Sequence, residues 1–100
     1  MSKNIRIMKS TAVDIPKILG LIRLTSDWKT SAFELDALVR DGKSVIAKVV
    51  TGDIVGHNAL FETKEGEQIY YLTATKPEYS LTLKLLREEL KKLQRDGGAT

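Results

Sequence analysis

The sequence has no cysteine and only one histidine, His57. The missing cysteines exclude disulfides, thiolate catalysis and cysteine-ligated metal, and one histidine cannot build a multi-histidine zinc site within one chain. The N-terminal segment MSKNIRIMKS lacks the roughly 7–15 apolar residues of a signal peptide, and no run approaches the ~20 apolar residues that span a bilayer. We therefore expect no bound metal, no membrane span and a cytoplasmic location.

The composition is that of an ordinary globular domain. Of the 100 residues, 42% are hydrophobic and 29% are charged, which is well away from the composition of disordered chains. A chain of this length has room for one core, so we expect a single domain over residues 1–100. The net charge of +3 is small and dispersed, which argues against a nucleic-acid partner.

Two amphipathic helices are predicted in the first half of the chain. The first follows Asp14. Its apolar stripe falls at i, i+3, i+4 and i+7 and consists of Ile15, Ile18, Leu19 and Ile22. The second begins at Ser31, which has the S-x-x-E spacing of a capping box with Glu34, and ends near Gly42. Both helices are expected to lie on a core.

Short β-type runs and one further helix make up the rest of the chain. The runs are IRIM at residues 5–8, SVIAKVV at 44–50, DIVGHNALF at 53–61 and QIYYLTAT at 68–75. From Ser80 the apolar period returns to that of a helix. The predicted order is β-α-α-β-β-β-α. It indicates an α+β fold in which three helices cover a mostly antiparallel sheet of about four strands.

Three of these segments, in this order, resemble a known family. IRIMKSTAVDIPKILGLI resembles the opening strand and first helix of the GNAT superfamily of acyl-CoA-dependent N-acetyltransferases, and VVTGDIVGHNALF resembles its second and third strands. IYYLTATKPEY is similar to the fourth strand and the Pro-x-Tyr that precedes the cofactor loop. The resemblance runs from about residue 5 to residue 93. It implies a partial GNAT-like fold and acetyl-CoA as the possible cofactor.

The cofactor loop departs from the family pattern. In the family, Pro-x-Tyr leads into R/Q-x-x-G-x-G/A, whose glycines let backbone N–H groups approach a pyrophosphate. Here Tyr79 is followed by SLTLK, with no glycine. The resemblance leaves Ser80 and Lys84 to attract a phosphate. It places the strand backbone along a pantetheine arm at Thr73, Ala74 and Thr75. We expect acetyl-CoA binding to be weak or lost.

The resemblance also suggests catalytic side chains. His57 stands on a strand that lines the acceptor side in the family, so it is a candidate base, with a satisfied strand histidine as the alternative. Tyr70 and Tyr71 point to opposite faces of their strand, so one of them is the candidate polar partner and the other packs under a helix.

Other residues have both a functional and a structural interpretation. Glu62, Glu65 and Glu67 lie near the connection where some relatives have a base, but KEGE has the composition of an exposed turn. Trp28 lies between the two helices, where the acceptor pocket is shaped in the family; the alternative is a core or interface anchor.

Two functions follow from this resemblance. The missing glycines favour a GNAT-like domain that is degenerate in acetyl-CoA binding and acts as a binding or regulatory module. The alternative is an active N-acetyltransferase that moves an acetyl group from acetyl-CoA to an amine, possibly as a dimer.

The fourth strand also predicts an assembly. IYYLTAT is apolar and β-branched, and an unpaired edge on such a strand invites pairing with another chain. We therefore expect a homodimer with residues 69–86 at its interface. The contact would be made by antiparallel pairing of the fourth strands or by packing of the last helices through Leu81 and Leu85.

Overall fold

The computed structural model describes the backbone of residues 5–25, 30–62 and 69–98, and the side chains of residues 5–25, 30–60 and 75–95. Its strands are β1 (Arg6–Lys9), β2 (Ser44–Lys48), β3 (Ile54–Glu62) and β4 (Ile69–Thr75). Its helices are α1 (Ile15–Thr25), α2 (Ala32–Arg40) and α3 (Thr82–Gly98). Short 3-10 helices at Ala12–Asp14 and Pro77–Tyr79 precede α1 and α3.

The four strands form one antiparallel sheet in the order β1-β2-β3-β4. Ile7 pairs with Ala47, Ala47 with Gly56, and Gly56 with Thr75, which fixes the register across the whole sheet. The predicted α+β order of strands and helices is confirmed. No helix in the described part of the chain is long and apolar enough to cross a membrane.

Apolar side chains form two layers, one on each face of the sheet. The layer under α1 and α2 consists of Ile15, Ile18, Leu21, Ile22, Leu35, Val39, Ile46 and Ile54. The layer under α3 consists of Val45, Ala47, Val55, Leu60, Leu86 and Leu90. Successive residues of β2 alternate between the two layers, as strand geometry requires. The sheet is therefore covered by helices on both faces.

An irregularity in the β2–β3 pairing brings β3 close to α3. Ala47 pairs with Gly56 but Lys48 pairs with Ile54, so Val55 is an extra residue in β3. A Cβ atom at Gly56 would lie only 3.0 Å from Leu86 Cδ1 and 3.3 Å from Thr82 Oγ1. The lack of a side chain at this position lets the first turns of α3 rest directly on the sheet.

The start of α1 is held by a buried carboxylate. Asp14 Oδ2 accepts hydrogen bonds from the backbone N–H and the hydroxyl of Thr11, at 2.9 and 3.0 Å. Lys48 Nζ donates to Asp14 Oδ1 at 3.2 Å. Burial raises the pKa of Asp14, but the bonds from Thr11 and Lys48 outweigh it and leave the pKa below the usual 3.8. Asp14 is thus the third residue of the first turn and not its cap, because Thr11 occupies the cap position.

The capping box predicted for α2 is confirmed. Glu34 N donates to Ser31 Oγ at 3.1 Å, and Ser31 N donates to Glu34 Oε1 at 3.0 Å. Gly42 follows the helix with φ of +71°, a left-handed conformation that glycine adopts without steric cost.

Candidate functional site: the end of β4 and the start of α3

The chain leaves β4 through a tight turn in which several backbone donors are already used. Tyr79 N bonds to Lys76 O at 2.8 Å, Ser80 N to Pro77 O at 3.3 Å, and Leu83 N to Ser80 O at 3.2 Å. α3 then begins at Thr82, two residues later than the apolar period predicted. The 3-10 helix accounts for the difference, because its bonds compete with those of the first α-helical turn. Three N–H groups of this segment therefore point into the turn.

Thr82 fixes this turn against the sheet. Its hydroxyl donates to Tyr79 O at 2.7 Å, and only 6% of the residue is exposed. Ser80, which the sequence suggested as a phosphate contact, is exposed and accepts the Leu83 N–H through its backbone carbonyl. Lys84 is also exposed, one turn further along α3. Of the two predicted phosphate contacts, Lys84 supplies a charge and Ser80 completes the turn.

The end of β4 carries a hydroxyl for which the described part of the chain supplies no hydrogen-bond partner. Thr75 Oγ1 is buried and makes no hydrogen bond within the described residues. Such a group is costly unless something else satisfies it. The backbone of β4 pairs on one side only: Thr73, Ala74 and Thr75 lie opposite Asn58, His57 and Gly56 of β3. Within the described part of the chain, no strand covers its other edge.

Known structures share this arrangement of strands and helices. A GNAT family N-acetyltransferase (YhbS) from Escherichia coli, in complex with CoA, is 23% identical, with a TM-score of 0.67 over 94% of this chain and 58% of that one. A phosphinothricin acetyltransferase from Sinorhizobium meliloti, in complex with AcCoA, is 15% identical, with a TM-score of 0.67 over 95% and 61%. The chain has the GNAT fold.

A third GNAT-fold neighbour is N-acetylglutamate synthase from Neisseria gonorrhoeae, complexed with coenzyme A and N-acetyl-glutamate. It is 21% identical, with a TM-score of 0.66 over 94% of this chain and 23% of that one. This chain spans about three fifths or less of the length of these three neighbours. No family model matches the sequence, and a search of curated proteins finds no match.

The residues at the end of β4 fit one part of a GNAT cofactor and not another. The outer edge of β4, which no described strand covers, suits an extended, amide-containing arm, because such an arm bonds to strand backbone. At the start of α3, the N–H groups of Tyr79, Ser80 and Leu83 are bonded within the turn, so these three donors do not face a pyrophosphate. The two halves of the predicted cofactor site thus differ in what they can bind.

His57 lies in the core and away from any open surface. It is 0% exposed, and its Nε2 lies 2.8 Å from Ser44 Oγ, which in turn lies 2.8 Å from Ser10 Oγ. Burial lowers the pKa of His57 from 6.5 to about 4. A general base must reach the proton that it removes. The structure therefore favours the structural interpretation of His57 over the catalytic one.

The remaining candidates are placed only in part. Tyr70 and Tyr71 lie on β4, where their backbones pair with Phe61 and Leu60, and their catalytic role stays a prediction. Glu62 ends β3. Glu65, Glu67 and Trp28 lie outside the described residues. No group of three or more potential metal ligands occurs in residues 5–25, 30–62 and 69–98.

The sequence did not single out Ser44, which bonds to His57, or Ser10, which bonds to Ser44. Ser44 is 13 residues from His57 and Ser10 is 34 residues from Ser44, so only the pairing of β1, β2 and β3 brings them together. Local sequence contains no signal for such a contact. The only clue in the sequence is that His57 and Asn58 interrupt an apolar run.

Proposed function

We propose that this chain is a GNAT-type domain in which the standard pyrophosphate site is degenerate, and that it acts chiefly as a binding or regulatory module. The observation that supports this most directly is the internal bonding of the Tyr79, Ser80 and Leu83 N–H groups at the start of α3. The sequence agrees, because the segment after Tyr79 has no glycine that would let the backbone approach a phosphate.

The energetic consequence is large. A hydrogen bond to a charged group contributes about 1.5–3 kcal/mol, so two missing donors weaken pyrophosphate binding by roughly a hundredfold or more. Lys84 and the partial positive charge of the helix start remain. These two contributions are smaller and less directional than a set of N–H groups aimed at the phosphates. Binding of coenzyme A through the start of α3 should therefore be weak.

Calorimetric titration with acetyl-CoA tests this proposal. We expect no submicromolar dissociation constant. Two variants sharpen the result: Lys84→Ala removes the cation one turn into α3, and Lys92→Ala removes an exposed cation further along the same helix. Submicromolar binding that Lys84→Ala weakens and Lys92→Ala leaves unchanged would contradict the proposal, because it would show a working phosphate site at the start of α3.

The second candidate is an active N-acetyltransferase, which the Thr75 hydroxyl favours. This group is buried and makes no hydrogen bond within the described residues, and an acyl-CoA arm paired with the outer edge of β4, which no described strand covers, would lie close to it. Release of the coenzyme A thiol from acetyl-CoA, measured with a panel of amines, distinguishes the two functions. Activity that Thr75→Val reduces would establish the enzyme. No thiol release with any amine would favour the module.

We also propose a homodimer with residues 69–86 at its interface, on the basis of the two edges of the sheet. β1 is four residues long and carries the exposed charges of Arg6 and Lys9, which discourage pairing. β4 is seven residues long and has neither a charged residue nor a proline. Two copies of β4 can therefore pair antiparallel about a two-fold axis without placing like charges opposite each other.

Light scattering at micromolar concentration should give twice the 11.2 kDa mass of one chain. Leu81 is 91% exposed on α3, so Leu81→Glu leaves the fold intact and blocks a dimer made through the helices. Val13→Glu, at a site 82% exposed outside residues 69–86, is the matched control. Loss of the dimer in Leu81→Glu alone indicates helix contacts, and a dimer in both variants indicates paired strands. A wild-type monomer would refute the assembly.

A further inference from the structure

A groove lies along the edge of the sheet at β1, at the other end of the strand order from β4. Its volume is about 540 Å³. One side is formed by the start of β1, and the other by the residues that leave β2 and enter the turn before β3. This β1–β2 groove, lined by Arg6, Met8, Lys48 and their neighbours, is separate from the candidate cofactor site. Its ligand chemistry is independent of the function proposed above.

The groove contains two cations held side by side. Arg6 and Lys48 are direct partners in the antiparallel pairing of β1 with β2. Like charges opposite each other in a sheet are destabilising, so the pair needs negative charge nearby. Met8 lies two residues from Arg6 on the same face of β1, and it lines the groove together with Arg6 and Lys48. The arrangement concentrates positive charge over a partly apolar surface.

Among the described residues, the buried carboxylate of Asp14 pairs with Lys48 and not with Arg6. Asp14 is 4% exposed, and its Oδ1 accepts from Lys48 Nζ at 3.2 Å while its Oδ2 accepts from Thr11. Asp53, in the turn after β2, accepts from the Thr51 hydroxyl and lines a different recess. Neither carboxylate pairs with the guanidinium of Arg6.

Arg6 is therefore the uncompensated member of the pair. It is exposed, and it makes no hydrogen bond or ion pair with the part of the chain that the structure describes. A guanidinium presents a rigid fork of donors that matches a carboxylate or a phosphate in two parallel bonds. An oxyanion seated beside Arg6 would balance its charge, as Asp14 balances that of Lys48.

The other residues of the groove add an apolar requirement. Ile5 and Met8 line it, together with Val50, which is 78% exposed. The volume falls within the usual range of roughly 300–1,000 Å³ for sites that bind small molecules. We propose that the β1–β2 groove binds a small organic oxyanion, a carboxylate or a phosphate monoester, whose apolar body rests on these three side chains.

An NMR titration of amide signals tests the proposal with four probes. Hexanoate and hexyl phosphate carry the apolar body, whereas acetate and inorganic phosphate lack it. We expect saturable shifts at Arg6, Met8 and residues 48–52 with at least one hexyl probe, and affinity at least about tenfold weaker for its short counterpart. Comparison of hexanoate with hexyl phosphate identifies which oxyanion is preferred.

Two charge-matched variants provide the decisive comparison. Arg6→Gln removes the proposed anchor, and Arg23→Gln removes an exposed arginine of α1, with the same change in net charge. Binding should weaken about tenfold or more in Arg6→Gln and stay unchanged in Arg23→Gln. An Arg6→Lys variant, which keeps the charge but loses the fork, should be intermediate. Equal weakening in both glutamine variants, shifts confined to the start of α3, or no saturable shift with any probe would overturn the proposal.

Discussion

Replacing Leu86 with alanine is expected to lower the free energy of unfolding by about 2–5 kcal/mol. Leu86 is 0% exposed and belongs to the layer between α3 and the sheet. Its Cδ1 atom lies 3.0 Å from the point where a Cβ of Gly56 would stand, so it fills the space that the glycine leaves. Truncation removes apolar contacts and opens a cavity against strand backbone that cannot collapse into it.

Leu24→Ala is the matched control, because it makes the same chemical change on a helix outside residues 69–86. Leu24 is 72% exposed, so its truncation should alter the free energy of unfolding by no more than about 0.5 kcal/mol. Urea unfolding followed by circular dichroism measures both variants. Total stabilities of domains are about 5–15 kcal/mol, so the loss in Leu86→Ala will be obvious. Similar losses in the two variants would show that α3 does not pack on the sheet through Leu86.

The sequence predicted those features of the fold that depend on local patterns. The capping box at Ser31 and Glu34 forms as expected, since both partners lie within one helical turn. The change from a helical period to a strand period after Gly42 predicted the three later strands, and all three pair. Such signals need no knowledge of distant residues.

Features set by competition or by distant contacts could not be predicted. Asp14 precedes α1 as expected, but it belongs to a 3-10 helix that starts after Thr11 and that the periodicity did not predict. Another 3-10 helix at Pro77–Tyr79 delays the start of α3 to Thr82. The extra residue Val55, which brings Gly56 against α3, depends on how β2 and β3 align. The two 3-10 helices and the extra residue in β3 depend on hydrogen bonds that the apolar periodicity of the sequence does not predict.

In the candidate site, too, local sequence predicted some features, and others depend on distant contacts. The missing glycines after Tyr79 are visible in the sequence, and they predicted a poor phosphate site. Which backbone donors remain depends on the turn, and the structure shows three of them bonded internally. The unsatisfied Thr75 hydroxyl depends on what packs at the end of β4. The sequence therefore predicted the missing phosphate-binding glycines, and the structure adds which backbone donors are bonded and where the Thr75 hydroxyl lies.

The stability of the folded chain is expected to fall by about 3 kcal/mol between pH 7 and pH 4 because of His57 alone. Burial lowers the pKa of this side chain from 6.5 to about 4 in the folded state. Between these values the unfolded chain binds a proton that the folded chain does not. The free energy of unfolding is therefore highest above pH 6.5, and it decreases as the pH falls to 4; the loss levels off below this pH.

A His57→Gln variant isolates this effect, because His57 is the only histidine. Glutamine stays neutral throughout and can still bond to Ser44. The unfolding free energy of the wild type minus that of the variant should therefore decrease by about 3 kcal/mol from pH 7 to pH 4. Asp14 does not affect this comparison between wild type and variant. Its pKa lies below 3.8 and it is present in both proteins, so its contribution is lost at lower pH and cancels. An NMR titration of the wild-type imidazole provides an independent check: a pKa near 6.5 in the folded protein, or parallel pH profiles for the two proteins, would place His57 at the surface and contradict the buried Ser10–Ser44–His57 arrangement.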